Sequence, residues 1–344
     1  MSKKINMTDI AKRLGISKVS VSKALNDKEG VSEELREKVK LIAQEMGYRI
    51  NTVARGLKTQ KVSNVGILIA EHYVSTKVNN HVEQDKKAYY FDLYGLITKK
   101  LDELGYSSVM ELLTKADEDS LELPRMYNEH KIDGLIVLGQ LDNRYLKKLE
   151  TIDIPLVYLD FYVDFSKVDS IVVDNFYSSY LITNSLIKLG HKKIGFIGTI
   201  WATSSIQDRY LGYYKALIEN GIPLNMDYVI DDRNSANELI DIVLPKELPT
   251  AFVCNCDLVA YNLIRKLDEM GLKVPDDISV VGFDNSFFAT LANPQLTTVD
   301  HNVDEMIDTC VKVITKKIAN PKKTYGRILI QGKIVERDSV KSLI

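Results

Sequence analysis

Lys18, Ser20, Ser22 and Lys23 place ammonium groups and hydroxyls on one short stretch. That chemistry suits hydrogen bonding to base edges and phosphates, not bond breaking. The elements that must hold them are legible around them. Thr8 to Asn26 reads as two short amphipathic helices on either side of Gly15. Ile10, Ala11 and Leu14 fall at helical spacing, and Gly15 supplies the left-handed backbone that ends a helix without a Cβ clash. Ser17 suits an N-cap for the second helix, because its hydroxyl accepts from free backbone donors. Val21, Ala24 and Leu25 form that helix's apolar stripe, leaving the polar set outside. The arrangement predicts a helix-turn-helix whose second helix enters a major groove.

Other chemistries find little support. The chain has no Gly-x-Ser-x-Gly elbow, no Gly-Lys-Ser/Thr phosphate loop and no helix with two metal-spaced histidines. Cys254, Cys256 and Cys310 are few and odd in number, which predicts a reducing compartment and buried thiols. Cys254-Asn-Cys256 is one residue too tight for the usual zinc pair. No metal and no cofactor is expected. Met1 to Asn6 is polar and leads straight into the first helix, so no signal peptide is read there. No apolar run reaches the ~20 residues that span a bilayer. A cytoplasmic protein is expected.

The charge is unevenly spread. The net charge of -2 combines +7 over residues 1–61 with -9 over the remainder. A basic head on an acidic body fits a nucleic-acid reader carrying a separate domain. After a turn-rich loop, Ser32 caps a third helix whose face is Leu35, Val39, Ile42, Ala43 and Met46, stopped by Gly47. A core that small is expected to be marginal alone. Asn51 to Thr59 is a weak helical pattern, expected to be helical only when docked.

From Val65 short apolar runs alternate with helices. One set of runs is 65–69, 107–113, 134–138 and 155–159. A second is 171–173, 194–197, 250–253 and 278–283. Helices are expected near 89–104, 121–130, 145–149, 177–189, 208–220, 258–270 and 303–318, with terminal strands in 328–335. All-apolar strands alternating with helices indicate parallel sheets covered on both faces. The fold class is therefore α/β: an all-α headpiece, then two doubly wound halves with a cleft between them. Glu71 to Lys87 reads as a flexible insertion. Trp201, the single tryptophan, follows the 194–197 run and either stacks on a sugar ring or packs. Tyr89, Tyr90 and Phe91 either wall a site or pack their helix.

Several ordered motifs resemble the Lac repressor (LacI/GalR) family. They are Thr8 to Asn26, Val31 to Val39, Gly47-Tyr48 leading to Asn51, and Val53-Ala-Arg-Gly-Leu-Lys58. In the body they are Leu189 to Ile197, Arg209-Tyr-Leu-Gly-Tyr213, Ile278 to Asp284 and Pro294 to Val299. The resemblance runs from about Met7 to Ser339. It implies a transcriptional regulator, a repressor of carbohydrate-utilisation genes, with a core like the periplasmic sugar-binding proteins. It also implies a homodimer on a pseudo-palindromic operator and a small-molecule effector, a sugar, in the core cleft. The implied domains are a headpiece over 1–49, a hinge over 50–61 and a core over 62–344. The core's halves would be about 62–165 with 299–325, and 166–298 with 326–344.

Residue by residue, the resemblance implies DNA contacts at Thr8, Ser17, Lys18, Val19, Ser20, Ser22, Lys23, Asn26 and Tyr48. In the hinge it implies Asn51, Ala54, Leu57 and Lys58, with Leu57 as a minor-groove wedge. Lys23 stands where the family most often has Arg, so it lacks the planar fork. Arg209 matches an arginine that grips ligand, and Asp284 an aspartate that accepts from ligand hydroxyls. Asp160 ends a strand in the first half at a comparable place. Cys256-Asp257 stands where the family usually has Asn-Asp, replacing an amide by a thiol. Competing readings are an enzyme, a solute-binding transport protein, and a DNA-binding regulator controlled by a phosphorylated carrier protein or another non-sugar metabolite.

Overall fold

The computed structural model describes residues 5–25, 27–48, 62–74, 81–234 and 238–344, with backbone alone for His72 and residues 81–88. Asn26, Asn51, Ala54, Leu57, Lys58 and the expected hinge lie outside the described residues. The chain divides into two compact units, Met1–Val62 and Ser63–Ile344.

In the first unit, α1 (Met7–Leu14), α2 (Lys18–Leu25) and α3 (Glu33–Glu45) share a core of Ile10, Ala11, Val21, Ala24, Val39 and Ala43. Asn6 caps α1 and Asp9 answers in a capping box, satisfying two otherwise free donors. Gly15 ends α1 at φ 64°. Ser17 Oγ accepts from the Ser20 amide at 3.0 Å, and Ser32 caps α3.

The second unit opens with β1 (Asn64–Ala70), α4 (Glu71–Val74), α5 (His81–Glu103) and β2 (Ser107–Leu113). It continues through α6 (Lys115–Ser120), α7 (Arg125–Asn128), β3 (Gly134–Leu138), α8 (Asn143–Leu149), β4 (Leu156–Leu159) and β5 (Asp169–Val173). Then follow α9 (Asn175–Lys188), β6 (Ile194–Ile197), α10 (Ser204–Glu219), β7 (Val229–Ile230) and β8 (Ala251–Cys254). The end comprises α11 (Asp257–Glu269), β9 (Ser279–Val281), α12 (Phe287–Leu291), β10 (Thr298–Asp300), α13 (Val303–Ala319), β11 (Arg327–Ile330) and β12 (Lys333–Val335).

These strands build a parallel six-stranded sheet, β11-β5-β4-β3-β1-β2, and a parallel four-stranded sheet, β7-β6-β8-β9. The β10-β12 pair is antiparallel. The chain leaves the first sheet after β5, returns along α13, which packs on β3, β4 and β5, and crosses again between β11 and β12.

Three expectations need correction. The 169–173 run does not open the second set, because Val157 pairs with Asp169 and Leu159 with Ile171 in the first sheet. The 327–330 strand joins it there, so the first half reaches past the expected breaks at 165 and 325. An apolar run buried on both faces carries no mark of which sheet it belongs to, and the polar 161–168 loop imitates a boundary. Of the helix expected over 121–130 only α7 forms, because Leu121 ends α6 in the left-handed region at φ 60° and Pro124 precedes α7. The segment 71–87, read as a flexible insertion, is helical at 71–74 and from 81 onward.

Asp169 fastens the amino end of β5 to α13 and to the start of β11. It is fully buried, ion-paired with buried Lys317 of α13, and accepts from the Tyr325 and Gly326 amides at 2.7 and 2.6 Å. Gly212 lets α9 and α10 close up, since a Cβ there would lie 2.1 Å from the Phe176 carbonyl oxygen.

Candidate nucleic-acid interface and ligand cleft

The first site is the outer face of α2. With Val21 and Ala24 buried, Lys18 and Val19 are exposed and Ser22 and Lys23 partly so. Ser17 and Ser20 tie the helix start together through their hydroxyls, 2.9 Å apart. The Lys23 ammonium lies over the Gly30 loop, where a Cβ would approach it to 2.8 Å. Thr8 is exposed at the start of α1, and Tyr48 packs partly on the three-helix core.

The second site lies between the two sheets of the second unit, at the carboxyl ends of their strands, where open α/β sheets take ligands. Arg209 of α10 is 9 % exposed. Its Nε donates to Asn175 Oδ1 at 2.8 Å, and its Nη1 donates to the Asn255 carbonyl and lies 3.3 Å from Asp284 Oδ1. The guanidinium stacks 3.8 Å from the Phe283 ring centroid. Asp208 does not pair with it; the Asp208 carboxylate accepts from Tyr162 instead.

His301, after β10, brings Nε2 to 2.9 Å from Asp284 Oδ1. Its Nδ1 has no hydrogen-bond partner among the described residues, and the buried Tyr89 hydroxyl lies against the Asp160 carboxyl. Tyr89 meets the His301 ring edge-on at 6.3 Å and stands beside Asp160. Tyr90 packs on Tyr73, with ring centroids 4.4 Å apart. The site therefore combines carboxylates, a guanidinium, an imidazole and phenols in one largely buried cluster.

Electrostatics and strain mark the same residues. Burial pushes the Asp160 carboxyl up to about 6, although His301 and Arg209 pull it down. Asp160 has φ 73° and Asp284 φ 115°, backbone that L residues enter at a cost and that clusters at binding sites.

The comparisons with known proteins agree on both units. The model described as bacterial regulatory proteins, lacI family, matches residues 6–51, and a periplasmic binding protein-like domain matches 183–340. The ribose operon repressor of Haemophilus influenzae is 29 % identical over 98 % of this chain and 99 % of its own. The transcriptional repressor PurR of Vibrio campbellii is 27 % identical over 97 % and 98 %. The Lac repressor dimer bound to operator and the anti-inducer ONPF is 23 % identical, has a TM-score of 0.72 and is covered to 100 % by 99 % of this chain. Residues 6–51 thus match the lacI family model, and the relatives that align along nearly the whole chain are LacI-type repressors. These relatives are transcriptional repressors and regulators, not enzymes.

Within this periplasmic-binding-protein-like body the cleft brings Asp160, Arg209 and Asp284 near one another, together with Asn175, Phe283 and His301, and Tyr89 stands on its wall. Asp257 is corrected. It is fully buried, its oxygens take the Thr298 hydroxyl and the Ser286 amide at 2.7 Å, and burial with the Asp284 charge raises its carboxyl. It braces the loop that carries Asp284 and is closed to a ligand. Gly282 is needed beside it, because a Cβ would fall 2.1 Å from Asp257 Oδ1. Trp201 is 85 % exposed on the turn before α10, neither packed nor joined to the cluster. Cys256 stands at the N-cap position of α11, and burial pushes its thiol up to about 12, so it is a neutral group. Cys254 and Cys310 are buried. Asn255, one place before Cys256, turns its amide inward to Asp232 at 2.7 Å, while its carbonyl serves Arg209. His301 had one faint signal, a histidine two residues past the Pro294 to Val299 motif. Among the described residues no helix is long and apolar enough to cross a membrane.

Proposed function

We propose that this chain is a cytoplasmic, homodimeric repressor of carbohydrate-utilisation genes that reads a pseudo-palindromic operator with α2 and senses a sugar in the cleft. The headpiece over 1–49 and linker over 50–61 would serve DNA, and the body over 62–344 the effector. Ser17, Lys18, Val19, Ser20, Ser22 and Lys23 would face the major groove. Thr8 and Tyr48 would position the headpiece on phosphates. Asn26, Asn51, Ala54, Leu57 and Lys58 would complete the contacts.

The observation that carries this reading is the convergence in the cleft of two carboxylates, a guanidinium and an imidazole at the carboxyl ends of the strands. Such a set of donors and acceptors beside the Phe283 ring suits a polyhydroxylated ligand. Sugar hydroxyls donate to Asp160 and Asp284 and accept from cationic or neutral donors such as Arg209 and His301. Control then follows from differential affinity: the effector shifts DNA binding only insofar as it prefers one cleft geometry.

The test has two steps. Sequencing DNA captured by the pure protein from a random pool should yield a palindromic site. A sugar panel should then change that operator's binding, read by fluorescence anisotropy. A pool that enriches no sequence would overturn the DNA reading, and a panel without effect the sugar reading.

A further inference from the structure

Val19 is 64 % exposed on the outer face of a helix whose inner face is packed. Among the described residues of the first unit, Val19 and Leu41 are the large apolar side chains more than half exposed. Leu41 lies on α3, whereas Val19 stands in the first turn of α2, the end that meets base edges when a helix enters the major groove. Ser22 and Lys23 follow at i+3 and i+4, so the three share one strip. Val19 has no donor and no acceptor, and gains nothing from a phosphate, a purine N7 or a cytosine amine. It gains only by covering another apolar group. The major groove offers one, the C5-methyl of thymine. Branching at Cβ limits Val to few χ1 rotamers, so the helix fixes where its methyls point.

We propose that Val19 is a specificity-determining residue and that it reads a thymine methyl, one in each operator half-site. The proposal rests on the DNA-binding reading above. It adds which chemical feature of the DNA is recognised and by which side chain.

The experiment uses the full-length protein and the operator selected from the random pool. Each thymine is replaced by 2′-deoxyuridine symmetrically in both half-sites, which keeps the base pair and removes the methyl alone. One symmetric position should weaken binding about fifteenfold, from about 0.8 kcal/mol for each of two buried methyls. Val19→Ser should bind the thymine and uracil operators equally at that position. Leu41→Ser, altering the other exposed aliphatic, should keep the full uracil penalty. Circular dichroism reports whether each variant retains its helices. If Val19→Ser holds DNA too weakly to measure, Val19→Ala should show a reduced penalty instead. A scan in which no uracil costs more than twofold overturns the proposal, as does a folded Val19 variant that keeps the wild-type penalty. A pool that enriches no sequence overturns the DNA-binding reading itself, a distinct failure.

Discussion

On α2 the groups that meet a partner are held out in water by a core of a few small side chains, whereas in the cleft they are buried and bonded to one another. Lys18 and Val19 are exposed, and the helix beneath them needs little more than Val21, Ala24 and a cap at Ser17. Arg209 is 9 % exposed and engages Asn175, Asn255, Asp284 and Phe283 at once. A reading face works by offering side chains on a rigid rod, so substitutions there should change recognition and spare folding. A sensing cleft works by desolvation and shared bonds, so substitutions there should disturb geometry, ionisation and binding together.

The sharpest way to break that contrast lies at the amino end of β5, away from the cleft. Lys317→Met leaves Asp169 buried without its countercharge, beside amides that donate to it but do not neutralise it. Breaking one partner of such a pair costs about 3–5 kcal/mol. Calorimetry should show the body's transition lowered by that amount. A variant as stable as the parent would mean that β5, α13 and β11 do not depend on this pair.

Arg209→Gln comes next. It removes the charge from Asp284 and the fork from Asn175 and the Asn255 carbonyl, a loss of about 2 kcal/mol or more for a buried pair. Effector affinity should fall at least thirtyfold by titration calorimetry, with operator affinity of the unliganded protein unchanged. Equal losses at both sites would erase the distinction between reading face and sensing cleft.

How much of this was legible follows the same division. Regular periodicity writes an exposed amphipathic helix into the sequence, so Ile10, Leu14, Val21 and Gly15 announced the headpiece without help. Apolar runs announced the body's strands. Nothing in Ile171-Val172-Val173 says which sheet will take it, because both faces are covered, and register with β4 decides. In the cleft Asp160 was visible at a strand end, where ligands sit, and Asp284 through the resemblance, while Tyr89 was left between wall and packing. His301 and Asn175 were not visible, since they come from different elements and converge only in the folded body. Asp257 misled for the opposite reason: a carboxylate at a helix start looks available, and only its bonds to Thr298 and Ser286 show that it is spent inside.

Acidity gives a third, smaller effect. A sugar hydroxyl donating to Asp160 favours its carboxylate form, and burial together with the Asp284 charge raises this carboxyl to about 6 against the pull of His301, Arg209 and Tyr89. The empty protein is destabilised by ionising this buried group as pH rises through that range, and the ligand offsets the cost. Effector affinity should therefore be flat above pH 7 and about tenfold weaker at pH 5, the change expected one unit below the titration point. Asp160→Asn should flatten the profile. An unchanged profile in that variant would assign the acid limb to another group.

The smallest effect tests the headpiece as a scaffold. Asn6 Oδ1 accepts from the Thr8 and Asp9 amides at 2.8 and 3.3 Å, and Asp9 returns a bond to the Asn6 amide at 2.9 Å. Asn6→Ala removes the cap and should cost about 1 kcal/mol. In a unit whose core is six buried side chains that is a large share of what holds it, yet none of those atoms faces α2's outer strip. Thermal unfolding of the headpiece should move down while the uracil discrimination at Val19 stays the same. If discrimination fell with stability, base reading would depend on the rigidity of α1 as well as on the side chains of α2, and the exposed face would resemble the buried cleft more than the contrast allows.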